Sequence, residues 1–382
     1  MKATARIASA ITCLVIFSFT LSLMLPLLAL TLEERSTSPL IIGILGAITG
    51  GGILISAPLA PVITRRFGAS QTVLFMLVIT AACFIGYKIW EDSLTIWFLL
   101  RTIAALAGGL IFIIAEAAIT AAAPAGKRGV ALGIYAAGFS FGFALGPLVI
   151  AVVGIQGWMP YIIAAIFTLA PSILVYTVGI GTLPDDGKTP LPPFIGLFRS
   201  SPLPFLCAFA VAHCETTIYD LLPFYARKLD LEISAAAVLL TVLSVGAIIL
   251  QTPFGIAADR FGNRRTLIAL SATAVVGALS LPWIITGGIP GWLFLGLWGA
   301  GIFALYPIGL SEAARQFETH ELISVNALFG FSYGIGALIV PVIAGTAMVL
   351  SPHGLGAVLA VIMLMVLIFT KHLKTEKKTI YK

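Results

Sequence analysis

The sequence predicts an all-α polytopic membrane protein in which twelve transmembrane helices form two pseudo-symmetric six-helix bundles. The chain has a mean hydropathy of +1.08, with 59% hydrophobic and 10% charged residues. Apolar stretches of the roughly 20 residues that a helix needs to cross a hydrocarbon core recur along its whole length. Short motifs of the first half also recur in the second half. Helices are favoured because they satisfy their backbone hydrogen bonds within one segment, as the interior of a bilayer requires.

Charged residues and turns rich in glycine or proline separate the apolar stretches. The first stretch follows Lys2 and Arg6, as a secretory signal would, but it continues through Leu32. We therefore interpret it as a retained helix. The twelve predicted spans are 7–31, 40–63, 70–90, 94–122, 129–153, 158–180, 203–226, 233–256, 266–286, 291–314, 323–347 and 353–371.

The two halves of the chain share three short motifs. The pairs are Gly138-Phe-Ser-Phe-Gly142 with Gly330-Phe-Ser-Tyr-Gly334, Leu25-Pro26 with Leu222-Pro223, and Arg66-Phe67-Gly68 with Arg260-Phe261-Gly262. Duplicated halves are how many transporters build access from two sides to one central site.

The repeat predicts the domain organisation. We expect an N-terminal bundle at 1–180 and a C-terminal bundle at 202–373, joined by a cytoplasmic linker at 181–201. Prolines exclude a long helix from that linker, and a short amphipathic turn near its end is expected to lie on the membrane surface. A basic cytoplasmic tail is expected at 374–382.

The net charge of +6 reflects 22 Lys and Arg residues, most of which fall on one side of the predicted membrane. That side carries Lys2, Arg6, Arg65, Arg66, Lys127, Arg128, Lys188, Arg199, Arg260, Arg264, Arg265, Arg315, Lys371, Lys374, Lys377, Lys378 and Lys382. The opposite side carries Arg35, Lys88, Arg227 and Lys228. Because cytoplasmic loops are enriched in Lys and Arg, both termini are predicted to be cytoplasmic. The excess of basic residues is therefore explained by the orientation of the protein in the membrane, and no nucleic-acid partner is expected.

A charged motif lies between predicted helices 8 and 9, with the sequence Gly255-Ile-Ala-Ala-Asp259-Arg260-Phe261-Gly262-Asn263-Arg264-Arg265. Its glycines permit a turn and close packing, and its aspartate and arginines can form charge-assisted bonds that lock one conformation. Alternatively, the arginines only anchor the loop. The matching loop between helices 2 and 3 contains Arg65, Arg66 and Gly68, but Arg65 stands at the aspartate position, so this second latch is expected to be degenerate.

Helix 5 carries glycines four residues apart. Gly138, Gly142 and Gly146 are followed by Pro147. Small residues at this spacing let two helix backbones approach closely, and the proline kinks the helix. General helix packing is an equally good interpretation of the pattern.

Predicted helix 4 contains two ionisable residues within its span, Arg101 and Glu116. A guanidinium inside a span costs roughly 3 kcal/mol on insertion scales unless it is paired or wet, so Arg101 is expected to face a central cavity. The alternative is that it snorkels to the outer headgroups. Glu116 is flanked by apolar residues, which makes it the leading candidate to bind and release a coupling proton. A permanently protonated structural role is the alternative.

Predicted helix 7 adds His213, Glu215 and Asp220. His213 and Asp220 share a face with Thr216 and Thr217, whereas Glu215 points to the opposite side by helical geometry. One face is expected to line the cavity and the other to pack within its own bundle. These residues are further proton-coupling candidates.

Aromatic and polar side chains elsewhere are candidate solute contacts, namely Tyr219, Tyr306, Asn326 and Tyr333. Glu312 precedes Arg315 by three residues on helix 10, which favours an interfacial salt bridge. The four cysteines show no paired spacing, and His213 with its neighbouring acids has no ligand spacing, so no metal site is predicted.

Taken together, these features resemble the major facilitator superfamily over essentially the whole chain. The loop at 255–265 resembles its motif A, Gly138 to Pro147 resembles its motif C, and Arg101 opens a stretch that resembles its motif B. Tyr219 to Tyr225 and Ala304 to Pro307 are most similar to the YcaD-like bacterial permeases. The resemblance implies the superfamily fold, no cofactor, and a place in the bacterial inner membrane.

We expect a secondary active transporter that moves a small organic solute by alternating access and works as a monomer. The partial motif C favours proton-coupled efflux by antiport. The alternatives are a proton symporter or a facilitator that imports a sugar or another organic solute. A membrane-embedded enzyme is disfavoured because the sequence contains no His-Glu-x-x-His motif or comparable catalytic cluster.

Overall fold

A computed structural model describes residues 2–122, 128–181, 194–317 and 322–372 of the chain. Within these ranges the regular structure is entirely helical. The helices are α1 (Lys2–Glu34), α2 (Pro39–Phe67), α3 (Ala69–Ile89), α4 (Leu94–Ala122), α5 (Arg128–Val153), α6 (Met159–Leu169), α7 (Ser172–Val178), α8 (Phe194–Ser200), α9 (Pro202–Lys228), α10 (Ile233–Phe261), α11 (Asn263–Leu279), α12 (Leu281–Thr286), α13 (Gly288–Gln316), α14 (Leu322–Leu350) and α15 (Gly354–His372).

Eleven helical stretches of the described residues are long and apolar enough to cross a membrane, counting α6 and α7 together. The remaining predicted span, 266–286, is helical but broken between α11 and α12. Pro282 lies in the first turn of α12, where its missing backbone N–H removes one hydrogen bond across the break. The all-α polytopic fold class is confirmed.

The helices group into two compact units. Unit 1 contains Met1–Arg35, Ile48–Asp186 and Glu232–Thr241, and unit 2 contains Ser36–Ala47, Gly187–Leu231 and Val242–Lys382. Each unit draws mainly on one half of the chain. The beginning of α2 nevertheless belongs to unit 2, and the beginning of α10 belongs to unit 1.

In unit 1, α1 packs against α4, α5 and α6, while α3 packs against α4 and α6. The core of this unit is formed by fully buried residues of α1, α3 and α4, including Leu14, Val73, Leu77 and Ile114. Burying side chains of this size stabilises the bundle through dense packing, since lipid is as apolar as the core and gives little hydrophobic drive between helices.

The glycines of α5 allow it to approach α1 closely. A Cβ atom at position 146 would lie 2.6 Å from both the Phe19 carbonyl oxygen and the Leu23 amide nitrogen. Ser18 Oγ also donates a hydrogen bond of 2.9 Å to the Phe139 carbonyl. The glycine pattern that resembles motif C therefore serves a tight helix–helix contact within unit 1.

Unit 2 repeats this arrangement, because α9 packs mainly on α14 as α1 packs on α5. Its glycine contact lies at Gly336, where a Cβ atom would overlap the backbone of Phe209. The short helix α8 forms where the sequence predicted an amphipathic turn. It buries Leu197 in a core with Phe205 and Phe317, whereas Ile195 is largely exposed.

The short motifs shared by the two halves take up matching positions in the two units. Pro26 lies inside α1 and Pro223 inside α9. Gly68 and Gly262 each separate two consecutive helices and adopt φ angles of 83° and 90°. Side chains other than glycine rarely adopt this conformation, so each glycine is required by its turn.

At the predicted outer surface of unit 1, the cations Arg35 and Lys88 share one acidic partner. Arg35 lies 3.8 Å from the Glu91 carboxylate, and Lys88 forms a salt bridge to the same group. The Arg35 guanidinium also lies 5.4 Å from the ring centre of Trp97, a cation–π contact. Two of the few cations on this side therefore share a single negative charge.

Replacing Gly146 by alanine is expected to destabilise unit 1 by about 1–3 kcal/mol, because the new methyl group would push α1 away from α5. The matched control is Gly255→Ala in α10, where a Cβ atom would meet nothing within 4 Å. Thermal unfolding of the purified variants measures both effects. Equal melting temperatures for the two variants would show that the close approach is unimportant.

Candidate functional site

Arg101 lies inside unit 1 on α4, with only 6% of its surface exposed. It borders a cavity of about 30 Å³ that is also lined by Phe17, Thr49, Thr80 and Phe84. A space of this size holds on the order of two water molecules. Arg101 therefore lies buried inside unit 1, next to the hydroxyl-bearing side chains of Thr49 and Thr80.

Glu116 lies two helical turns before the end of α4 and is half-buried. Its neighbours Ile114, Ala115 and Ile119 are completely buried in the core of unit 1. Gly109 is seven residues earlier and so shares the face of Glu116. A Cβ atom at Gly109 would meet Ser56 of α2, which shows how closely that face of α4 approaches α2. Glu116 is therefore a carboxyl group at the margin of an apolar core.

Unit 2 brings together three of the predicted residues. The Tyr333 hydroxyl of α14 donates a hydrogen bond of 2.7 Å to Oε2 of Glu215 on α9. The ring of Tyr306, on α13, meets the ring of Tyr333 edge-on with centroids 5.9 Å apart. It also meets Phe329 edge-on at 4.8 Å. We call Glu215, Tyr306 and Tyr333 the carboxylate–tyrosine cluster, and all three side chains are half-buried.

The opposite face of α9 is packed inside unit 2. His213 is completely buried, with Nδ1 2.6 Å from the Ala210 carbonyl and Nε2 3.5 Å from Cys214 Sγ. Asp220 is 4% exposed, and its carboxylate leaves no room for a side chain at Gly46 of α2. Among the ionisable residues of α9 at these positions, Glu215 is thus more exposed than His213 and Asp220.

The remaining solute-contact candidates occupy different settings. Tyr219 is 1% exposed, and its hydroxyl forms a hydrogen bond with Ser244 inside unit 2. Asn326 lies in α14, but its side chain is outside the described residues. Within the described part of the chain, no group of three or more His, Cys, Asp or Glu side chains could hold a metal ion.

The motif at 255–265 forms the end of α10, a turn at Gly262 and the start of α11. Arg264 donates hydrogen bonds to the carbonyls of Thr370 and Lys371, at 2.9 and 2.6 Å. These carbonyls belong to the last turn of α15, where backbone acceptors lack helical partners and a cation is favoured. Arg264 therefore anchors the end of α15 within unit 2.

The other motif residues are arranged differently. Gly255 lies within α10 and has no close neighbour, so the expected close packing at this glycine is wrong. The exposed members of the two turns are Asp259, Arg260, Arg265, Arg65 and Arg66. Among the described residues, Asp259 has no cation within salt-bridge distance.

The expected salt bridge between Glu312 and Arg315 is also wrong, because Glu312 is 5% exposed while Arg315 is exposed. The Glu312 carboxylate instead accepts hydrogen bonds from Asn263 Nδ2 at 2.9 Å and Gln316 Nε2 at 2.6 Å. Gln316 in turn accepts a hydrogen bond from Ser201. A buried acid needs such donors, and the chain supplies neutral amides rather than a cation.

This amide network was missed by the sequence analysis, although two signals point to it. Asn263 follows the motif glycine directly, and Gln316 lies one helical turn after Glu312, at a spacing that lets the two side chains meet. The network joins the starts of α9 and α11 to the end of α13. It therefore holds the turn at Gly262 in place.

Comparisons with known proteins agree with this architecture. A sequence model described as Major Facilitator Superfamily matches residues 10–243 and 204–380. The chain is 25% identical over 340 residues to the uncharacterised MFS-type transporter YfkF of Bacillus subtilis (strain 168), covering 86% of this chain and 85% of YfkF. It is 22% identical over 331 residues to the uncharacterised MFS-type transporter YcaD of Escherichia coli O45:K1, again covering 86% and 85%.

Solved structures share the fold at low sequence identity. A mutant of the nucleoside transporter NupG superposes with a TM-score of 0.79 at 12% identity, covering 95% of this chain and 98% of NupG. A D-xylose–proton symporter gives a TM-score of 0.75 at 15% identity, with 99% of both chains covered. These similarities concern the fold alone.

Replacing Asn263 by alanine is expected to cost about 1–3 kcal/mol, because it removes one of the two donors to a buried carboxylate. The control is Arg265→Ala, which changes an exposed residue of the same motif. Thermal unfolding should show a clear loss of stability for the first variant and little change for the second. If Arg265→Ala proved the more damaging, the motif would depend on its charges rather than on Asn263.

Proposed function

Because the chain belongs to the major facilitator superfamily, and is therefore a multi-pass membrane transporter rather than an enzyme, we propose that it exports a small organic solute in exchange for protons. The six-helix bundles expected at 1–180 and 202–373 alternate access to a shared solute site. The protein works as a monomer in the bacterial inner membrane, with both termini in the cytoplasm. Its coupling ion is the proton, and no cofactor takes part.

The observation that carries this proposal is the placement of half-buried carboxyl groups in membrane-spanning helices of both units, Glu116 in unit 1 and Glu215 in unit 2. A charged carboxylate is costly at membrane depth, so such a group favours its neutral form unless a cation or water stabilises it. A change of surroundings during the transport cycle can therefore drive proton uptake and release. Glu116 is the first candidate for this role, followed by Glu215, Asp220 and His213.

The motif-A residues support a gating role at the cytoplasmic rim. Asn263 and Arg264 form hydrogen bonds within unit 2, and Arg264 is exposed like Asp259, Arg260 and Arg265. In unit 1, Arg65 and Arg66 are exposed at the end of α2. We infer that the exposed charges make and break contacts during the transport cycle, while Asn263 and Arg264 keep the turn itself rigid.

Glu116→Gln is expected to abolish pH-driven solute movement, because the amide keeps the size of the side chain but cannot bind and release the proton. Purified protein is first screened by thermal shift against a broad solute panel, since a bound solute raises the apparent stability. Solute flux is then followed in proteoliposomes under an imposed pH gradient. The matched control is Asp92→Asn, which neutralises an exposed carboxyl of unit 1. Equal pH-driven transport by wild type and Glu116→Gln would refute the role of Glu116.

The same vesicles separate export from import. Antiport moves solute against the direction of proton flow, whereas a symporter moves both the same way and a facilitator is indifferent to the pH gradient. Solute accumulation on the acidic side supports antiport. Accumulation on the alkaline side would favour the importing alternative.

The proposed orientation is tested with single cysteines at exposed positions on opposite predicted sides. We expect Asp92→Cys to react with a membrane-impermeant maleimide in intact cells, and Arg66→Cys to react only after permeabilisation. The native cysteines Cys13, Cys83, Cys207 and Cys214 are buried and give a low background. Labelling of Arg66→Cys in intact cells, with Asp92→Cys protected, would reverse the assigned topology.

A further inference from the structure

The carboxylate–tyrosine cluster in unit 2 has the chemistry of a site for positively charged organic groups. Its carboxyl group belongs to Glu215, which lies in a membrane-spanning helix. This group accepts one hydrogen bond, of 2.7 Å, from the Tyr333 hydroxyl. A carboxylate has two oxygens and room for several more donors. No Lys, Arg or His of the described residues lies within salt-bridge distance of it. The negative charge is thus left to be matched by a proton or by a ligand.

The aromatic rings beside Glu215 favour a particular kind of ligand. The rings of Tyr306 and Tyr333 meet at an interplanar angle of 88°, so their faces point in different directions around the cluster. Aromatic faces carry partial negative charge and attract organic cations, above all quaternary ammonium groups. Metal ions such as Ca²⁺ and Mg²⁺ instead require several oxygen ligands. One carboxylate with two tyrosines fits an organic cation better than a metal ion.

The structure also leaves room beside the cluster. Gly330 lies three residues before Tyr333 and therefore on the same side of α14. It is exposed, and a Cβ atom built there would meet no other atom within 4 Å. By contrast, a Cβ atom at Gly146 or Gly336 would meet the backbone of a neighbouring helix. The space at Gly330 is thus open, as a solute site next to Tyr333 requires.

We propose that the solute carries a positively charged amine or quaternary ammonium group, and that Glu215, Tyr306 and Tyr333 bind this group. The proposal rests on the proposed function, since it names the substrate class of that transporter. When one monovalent cation binds to protonated Glu215, the carboxyl group releases one proton to water. The resulting carboxylate then pairs with the bound cation. Solute and proton thus compete for a single carboxylate.

The experiment measures equilibrium binding to the purified full-length protein in detergent, without a gradient. The probes are choline, tetraethylammonium and tetraphenylphosphonium, together with 3,3-dimethylbutan-1-ol, the uncharged carbon analogue of choline. We expect at least one of the three cations to bind. If choline binds, the uncharged alcohol is expected to bind at least about tenfold more weakly than choline. Binding by none of the three cations would overturn the proposal.

The variants locate the site. Glu215→Gln is expected to weaken cation binding by about tenfold or more, where tenfold corresponds to about 1.4 kcal/mol. Tyr333→Phe is expected to weaken it by a few-fold. The matched controls are Glu232→Gln and Tyr176→Phe, which alter exposed residues of unit 1. Gly330→Phe places a ring in this space, where a Cβ atom meets nothing within 4 Å, and is expected to weaken cation binding with little change in melting temperature. Undiminished binding by both Glu215→Gln and Gly330→Phe would place the cation elsewhere and refute the inference.

Failure of this inference differs from failure of the proposed function. If the proteoliposomes move a neutral or anionic solute with pH coupling and Glu215→Gln is unaffected, the substrate class is wrong and the transporter stands. If cations bind in a Glu215-dependent manner but no pH-driven flux occurs, the site stands and the proton-coupled mechanism is wrong.

Discussion

The structure depends on one constraint, which is that a polar group in a membrane-spanning helix must find its partners inside the protein. Backbone groups meet it by helix formation. Polar side chains satisfy this constraint in three ways. Arg101 borders a small cavity that Thr49 and Thr80 also line, and Glu312 accepts hydrogen bonds from two amides. Glu215 has a single tyrosine donor. The contrast between the fully paired Glu312 and the sparsely paired Glu215 separates structural acids from candidate functional ones.

Much of the fold could be predicted because lipid imposes a strong length and composition signal. Spans such as α2 and α4 follow directly from it, and the repeated turns at Gly68 and Gly262 need glycine at a positive φ angle. The break between α11 and α12 at Ser280 could not be placed from hydropathy, since both pieces are apolar. Proline at 282 was the available signal, but prolines inside α1, α9 and α14 leave those helices continuous.

The site was less predictable, because residues far apart in sequence meet there. Helical geometry separates the two faces of α9, but it cannot tell which face is packed. The structure buries His213, Asp220 and Tyr219, which lie on both faces, and leaves Glu215 half-buried. The pairing of Glu215 with Tyr333 joins α9 to α14 over a separation of 118 residues, and no local spacing encodes it. Local spacing also suggested Arg315 as the partner of Glu312, whereas the bundle supplied Asn263 from another helix.

We propose that a solute site beside Tyr333 opens alternately to the two sides of the membrane. The most direct test is the modification of Gly330→Cys by a membrane-impermeant thiol reagent in right-side-out and inside-out vesicles, against the low background of four buried native cysteines. We expect modification from both sides, with the ratio shifting when the pH gradient is reversed. Modification from only one side under every gradient would contradict it.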